Sequence, residues 1–425
     1  MIFKTMKAAL VTSALMVSAA QAQQVVEWWD FLGGGDGVRM KTLIEEFNTE
    51  HAGEIQINAT TLEWGTPFYT KVQTSAAVGE GPDIMTYHLS RLPLGVSTGA
   101  LSPITADDLA GVGLSGDQFA TANWEAAQVD GTLYAIPFDI HAIVLYYNKD
   151  LLGAAGLLDD AGIPIGLDSV EGFTTAMETL QTNGAEYGVS FQSAGNGTNW
   201  RIFYSLLGQQ GGSFIDENGD FLTDDNFDKA VNAVQTMADW VSNGYTASDV
   251  EYPASIALFT GGNAAMHING VWEVPTFTDL HAAGDLFEWG AIELPMFFSE
   301  KATWADSHAF AIPNNAGNEL TAEERAAVMQ VIAWMNERST FWATAGHLPA
   351  FNAARENEEF RTMQPNATYS VLAETAFFDP SSVLAGVASP VYDAIGNYVY
   401  PAIGGEMTAE EAVKEMRDDL DNQNY

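Results

Sequence analysis

One stretch limits the architecture of this chain more than any other. Asp130-Gly131 is a hairpin signal, residues 132–136 read as a strand, Pro137 interrupts it, and residues 140–147 form a second β-branched and aromatic run ending in Asn148-Lys149-Asp150. So short an interruption leaves no room for a linker, and the chain is predicted to pass directly from one sheet into another. Its 425 residues exceed one ordinary core, which makes two lobes the expected organisation. Hydrophobic residues at 47% supply apolar surface for both and exclude a disordered protein.

Before the crossing, residues 25–30 read as a buried strand, Gly33-Gly34-Gly35 as a tight turn and Asp36 as a helix cap; Met40, Leu43, Ile44 and Phe47 then share one helical face. Residues 55–62 alternate as a strand and deliver Glu63 and Trp64 into the next loop. After another helix, residues 83–87 form a third strand with His88 and Arg91 beyond it. Strand, helix, strand, helix, strand is the doubly wound α/β pattern, in which ligands bind at the carboxyl ends of the strands. Gly34, Gly35, Asp36, Glu63, Trp64 and His88 are therefore candidates. The glycine turn lacks the Gly-Lys-Ser/Thr ending of a phosphate loop, so it reads as backbone open to ligand hydroxyls, or as a plain turn.

At the crossing, Asp139 and His141 flank Ile140, so alternation turns both away from it and toward a cleft; a hydrogen-bonded structural histidine is the competing reading. Beyond it come a helix near 170–181, a strand near 187–191 and a loop of small polar residues that ends at Trp200-Arg201. Asn196, Asn199 and Trp200 could supply hydrogen bonds and a stacking face, or the loop could close with Trp200 in the core. Residues 266–270 read as a buried strand, with Trp272-Glu273 just beyond the glycine that ends it. Residues 307–313 read as a return crossing that brings His308 near the first, and Gly346-His347 lead into a last one.

These segments carry a resemblance. Gly131-x-x-Tyr134-x-x-Pro137 leading into Tyr146-Tyr147-Asn148-Lys149-Asp150-Leu151 is similar to the interlobe crossover of the family 1 extracellular solute-binding proteins of ABC importers, the relatives of maltose-binding protein. Gly81-Pro82-Asp83-Ile84, the segment from Ala264 to Trp272, and Gly346-His347-Leu348-Pro349-Ala350 come in the family's order and extend the likeness over nearly the whole chain. The resemblance implies a two-lobed, hinge-connected α/β fold with mainly parallel sheets. Lobe 1 would hold residues 23–138 and 309–348, and lobe 2 residues 139–308 and 349–425. It implies capture of a sugar or oligosaccharide in the interlobe cleft and delivery to a membrane permease, with Trp272 at the family's stacking position, and neither catalysis nor a cofactor. A polyol, a sugar phosphate or sulfonate, or a sugar-derived osmolyte is the alternative ligand; Arg91 and Arg201 are the cations that would meet an anionic head group.

Composition narrows the partners. Sixteen basic against 56 acidic residues give a formal charge of −40, a field that repels nucleic acid and anionic lipid. A monomer is expected. Lys4 and Lys7, an apolar run and Ala20-Gln21-Ala22 read as an export leader, 1–22, cleaved before Gln23. The chain has no cysteine, which excludes thiolate chemistry and a lipid-bearing Cys, so a freely diffusing periplasmic protein is expected. No His-Glu-x-x-His or Gly-x-Ser-x-Gly motif occurs. A secreted glycoside hydrolase is the alternative from another class, although no pair among the 56 acids stands out.

Overall fold

The computed structural model describes residues 23–423; the predicted leader, 1–22, lies outside them. In chain order the strands are β1 (Gln24–Asp30), β2 (Ile55–Thr61), β3 (Ile84–His88), β4 (Gln128–Val129), β5 (Thr132–Leu133), β6 (Ala135–Pro137) and β7 (Asp139–Asn148). Next come β8 (Tyr187–Ser190), β9 (Ala264–Gly270), β10 (Trp289–Glu293), β11 (Thr303–Asp306), β12 (His308–Ala311), β13 (Leu348–Pro349) and β14 (Ala376–Phe378). One sheet has the order β2-β1-β3-β12-β6; the other runs β14-β11-β7-β9-β8, with β10 and β13 also paired to β7.

The two sheets meet where the chain switches between them. Between β6 and β7 stands only Phe138, and between β11 and β12 only Ser307. The Phe138 N–H donates to the His308 carbonyl at 2.8 Å, and the Phe138 carbonyl accepts from Ala350 N–H at 3.1 Å. Three chain crossings are thus tied through the backbone of one residue. The sheets differ from the mainly parallel order expected. β1 pairs β2 and β3 in parallel, whereas β12 runs antiparallel to both β3 and β6. Strands that arrive from the other sheet run back against their neighbours, and β7 is antiparallel to β9, β10, β11 and β13 for the same reason. His308 pairs within the first sheet, and Leu348 pairs with β7 in the second.

Every residue of β7 is buried, which accounts for its almost unbroken apolar run: neighbours flank both edges, and alternate side chains enter two separate apolar clusters, Ile143, Leu145 and Tyr147 in one and Ile140, Ala142, Val144 and Tyr146 in the other. The helix Gly35–Glu50 buries Met40, Leu43, Ile44 and Phe47 as its periodicity predicts. The helix Ala322–Glu337, begun by a Thr321/Glu324 capping box, packs against β1. The C-terminal helix Ala409–Gln423 packs against the helix Asn226–Ser242, whose apolar stripe has Ala230, Val234 and Met237 fully buried and Val231, Ala238 and Val241 partly so.

Candidate functional site

A cavity of about 470 Å³ opens between the two sheets. Its first wall is made by the loops after β1, β2 and β3, as the doubly wound pattern requires. Past β1, Phe31, Leu32, Gly33 and Gly34 line it, with Asp36 in the first turn of the helix; past β2 come Leu62, Glu63 and Trp64, and β3 ends at His88. The second wall comes from Gln192, Asn196, Gly197, Arg201, Tyr252, Trp272 and Glu273. His141 of β7 and His308 of β12 line it from the crossings themselves.

Buried polar groups hold these side chains in place. His88 stacks on Phe31 with centroids 4.4 Å apart, and its Nδ1 lies 2.6 Å from the Tyr69 hydroxyl. Burial, reinforced by the charges of His308, His141 and Arg201, pushes the His88 imidazole well below its ordinary pKa, so it is neutral. Burial and then His308 likewise lower His141 to about 4. Asp36 accepts from the Gly37 N–H at 2.7 Å, and burial raises its carboxyl to about 6. Across the cavity, Trp272 Nε1 donates to the Tyr252 hydroxyl at 2.7 Å, and that hydroxyl donates to Glu273 Oε1 at 2.5 Å. Trp272 is therefore held at its edge by hydrogen bonds, with its ring against Gly270 and the Arg201 guanidinium over it.

Arg201 is the cation of the site. Its guanidinium lies 4.7 Å from the Trp304 ring, 4.8 Å from Trp272 and 5.5 Å from Trp64. Its Nε is buried without a hydrogen-bond partner, and no carboxylate within the described residues reaches ion-pair distance of it. Arg91 lies elsewhere: it donates to the Val387 and Ala388 carbonyls and covers Tyr69.

Six of the residues predicted for the site stand back from the cavity lining. Trp200 is fully buried: the fourth residue of the helix Gly197–Gln209, it stacks on Tyr204 one turn later and donates Nε1 to Asp379 Oδ1 at 2.7 Å. The core reading of that loop is the one realised. Asn199 donates to the Ser193 and Gly195 carbonyls and so closes the turn that begins the helix. Gly35 meets the other wall directly, since a Cβ there would come within 2.7 Å of Pro275 Cβ. Gly346, at φ +91°, packs so closely on the Val271 carbonyl that a side chain would overlap it. Asp139 and His347 are wholly buried behind His141 and His308. Phe31, Leu32, Leu62, Gln192, Gly197 and Tyr252 line the cavity without having been site candidates from sequence. Phe31 follows the carboxyl end of β1, which was a usable signal. Tyr252, just before Pro253 at a helix start, carried none.

Known proteins match this architecture. The family described as bacterial extracellular solute-binding protein matches residues 42–367. A maltooligosaccharide ABC transporter solute-binding lipoprotein of Streptococcus pneumoniae is 22% identical, over 88% of this chain and 84% of its own. A mannitol-binding protein of Pseudomonas aeruginosa is 24% identical, over 90% and 89%. Among solved structures, maltose-bound MalE3 of T. maritima superposes with a TM-score of 0.78 at 22% identity, covering 95% of this chain and 100% of that one. The GacH receptor of Streptomyces glaucescens gives 0.78 at 19%, covering 94% and 97%.

Proposed function

Because this chain belongs to the bacterial extracellular solute-binding proteins, we propose that it captures a sugar or oligosaccharide between its lobes and hands it to the membrane permease of an ABC importer. The observation that carries this reading is the pairing of indoles across one cavity, Trp64 from the first wall and Trp272 from the second, with carboxylates, amides and imidazoles around them. Indole faces take the C–H faces of a sugar ring, and the polar rim takes its hydroxyls. A ligand touching both walls favours the closed arrangement, which is the state a permease can distinguish. Relatives that bind maltooligosaccharide and mannitol support the hydroxyl-rich class. Binding without turnover by a monomer, at the extracytoplasmic face where an export leader would place it, completes the proposal; no helix among the described residues is long and apolar enough to cross a membrane.

One observation favours a second ligand class. Arg201 reaches the cavity as a guanidinium without a carboxylate partner, in a chain of formal charge −40. A sugar phosphate, sulfonate or sugar acid would place its anion there. Thermal-shift screening of neutral oligosaccharides, polyols and sugar anions separates the two, since a ligand that binds only the folded form raises the melting temperature. The best ligand, incubated and recovered, is expected unchanged; released product would favour a hydrolase, and no shift with any of the three classes would overturn the proposal.

A further inference from the structure

Behind the cavity, the three crossings bring together ligand types that single segments of the chain do not. Asp139 and His141 come from the start of β7, His308 from the start of β12, and His347 from the residue before β13. One ligand atom from each of the four lies within 4.8 Å of all the others, and all four residues are buried. Asp139 is the hub: its carboxylate lies 2.9 Å from His308 Nδ1, 3.2 Å from His141 Nδ1 and 3.3 Å from His347 Nδ1. Ligands about 2.1 Å from a tetrahedral zinc ion are separated by roughly 3.4 Å; the three spacings to Asp139 lie within about half an ångström of that, and the spacings among the imidazoles lie within 4.8 Å.

His347 decides between a metal site and a self-sufficient hydrogen-bond network. It is wholly buried, yet neither ring nitrogen has a hydrogen-bond partner among the described residues; the 3.3 Å approach to Asp139 lacks hydrogen-bond geometry. A buried, unpartnered imidazole is costly. Nor can the ring easily turn elsewhere, because it is stacked on Trp342 with centroids 4.8 Å apart and planes 9° from parallel. Asp139 is positioned in turn by the Trp342 indole at 2.8 Å and the His308 backbone N–H at 2.9 Å, the outer contacts that orient a metal-binding carboxylate. The neighbouring trio His88, His141 and Asp306 is better satisfied, since His88 holds Tyr69 and Asp306 accepts from Ser90 and Ser307.

We infer that Asp139, His141, His308 and His347 form a binding site for a divalent transition-metal ion, zinc by donor type, which joins the three interlobe crossings. Three imidazoles and one carboxylate suit zinc and its borderline neighbours and are a poor set for magnesium or calcium. His141 and His308 also line the cavity, so the ion has a path in from the cleft. Bound there, it would replace the Asp139–His308 contact by four bonds to one centre and fix the crossings at Phe138, Ser307 and Ala350 relative to one another.

The test uses untagged mature protein stripped with a chelator and titrated with Zn²⁺ alone, followed by elemental analysis, calorimetry and melting curves. One zinc per chain, a raised melting temperature, and visible tetrahedral bands when Co²⁺ is substituted are the expected results. His347→Gln and His141→Ala should each weaken zinc binding by at least about tenfold, the scale at which even outer-shell losses act. His141→Ala carries the test if His347→Gln fails to fold, and the Co²⁺ spectrum needs no variant. Absence of zinc uptake by the wild-type protein, or uptake that both folded variants retain, would overturn the inference.

Discussion

Two tryptophans that sequence treats alike end in opposite places. Trp200 and Trp272 both follow a strand of the second sheet, and both were candidates for the stacking face. Trp272 lines the cavity with its indole N–H anchored to Tyr252, whereas Trp200 is fully buried with its N–H on Asp379. The difference lies in the conformation the chain takes on leaving each strand. After β9 a single 3₁₀ turn, Val271–Glu273, leaves Trp272 at the strand's end and hence at the cleft. After β8 the chain instead starts the helix Gly197–Gln209, and its fourth residue faces a core completed by β14 and Asp379.

Mutating each tryptophan separates packing from binding, and the largest effect should be on Trp200. Trp200→Ala removes a fully buried indole, so it should cost about 4 kcal/mol of stability in denaturant titrations. Ligand affinity of the molecules that still fold should change much less. A small stability loss would mean that the core around Trp200 is not the one described.

Trp272→Ala should show the reverse pattern, weakening binding of the best ligand by about 2 kcal/mol, roughly thirtyfold, in calorimetric titration. Its melting curve should move less than that of the Trp200 variant. Unchanged affinity would leave Trp64 as the principal stacking ring.

The comparison also has a pH signature at the Trp200 end. Burial first, and then the charge of Asp306, raise the Asp379 carboxyl from 3.8 to about 8, so it is largely protonated in the folded protein at neutral pH. The unfolded chain gives up that proton at lower pH. Raising the pH through the window from about 4 to about 8 therefore favours unfolding, by at most about 1.4 kcal/mol per pH unit. Asp379→Asn keeps an acceptor for the Trp200 and Trp304 indoles and should flatten this dependence in stability measurements from pH 5 to 8. An identical slope in the variant would place the titration elsewhere.

The smallest effect is expected at Trp64, which is 39% exposed on the opposite wall. Trp64→Ala should weaken binding by about 1 kcal/mol, some fivefold, because an open ring loses less contact and regains more water. If its loss exceeds that of Trp272→Ala, the two walls exchange roles.

Local pattern by itself determined the two sheets, the direct crossing at Pro137 and the strand ends that carry Glu63, Trp64, His88, Trp272 and Glu273. Period-two and helical spacing are properties of neighbouring residues, and an interruption in an apolar run is visible wherever it falls. The tertiary structure decided what depends on groups far apart in the chain. Trp200 is core because residues 376–379 close over it, and Gly35 is a contact point because Pro275 of the other wall reaches it. Asp139, His141, His308 and His347 converge because three crossings share the backbone of Phe138 and its neighbours. Burial of a side chain is set by whichever segment packs over it, and that segment lies beyond the reach of any local periodicity.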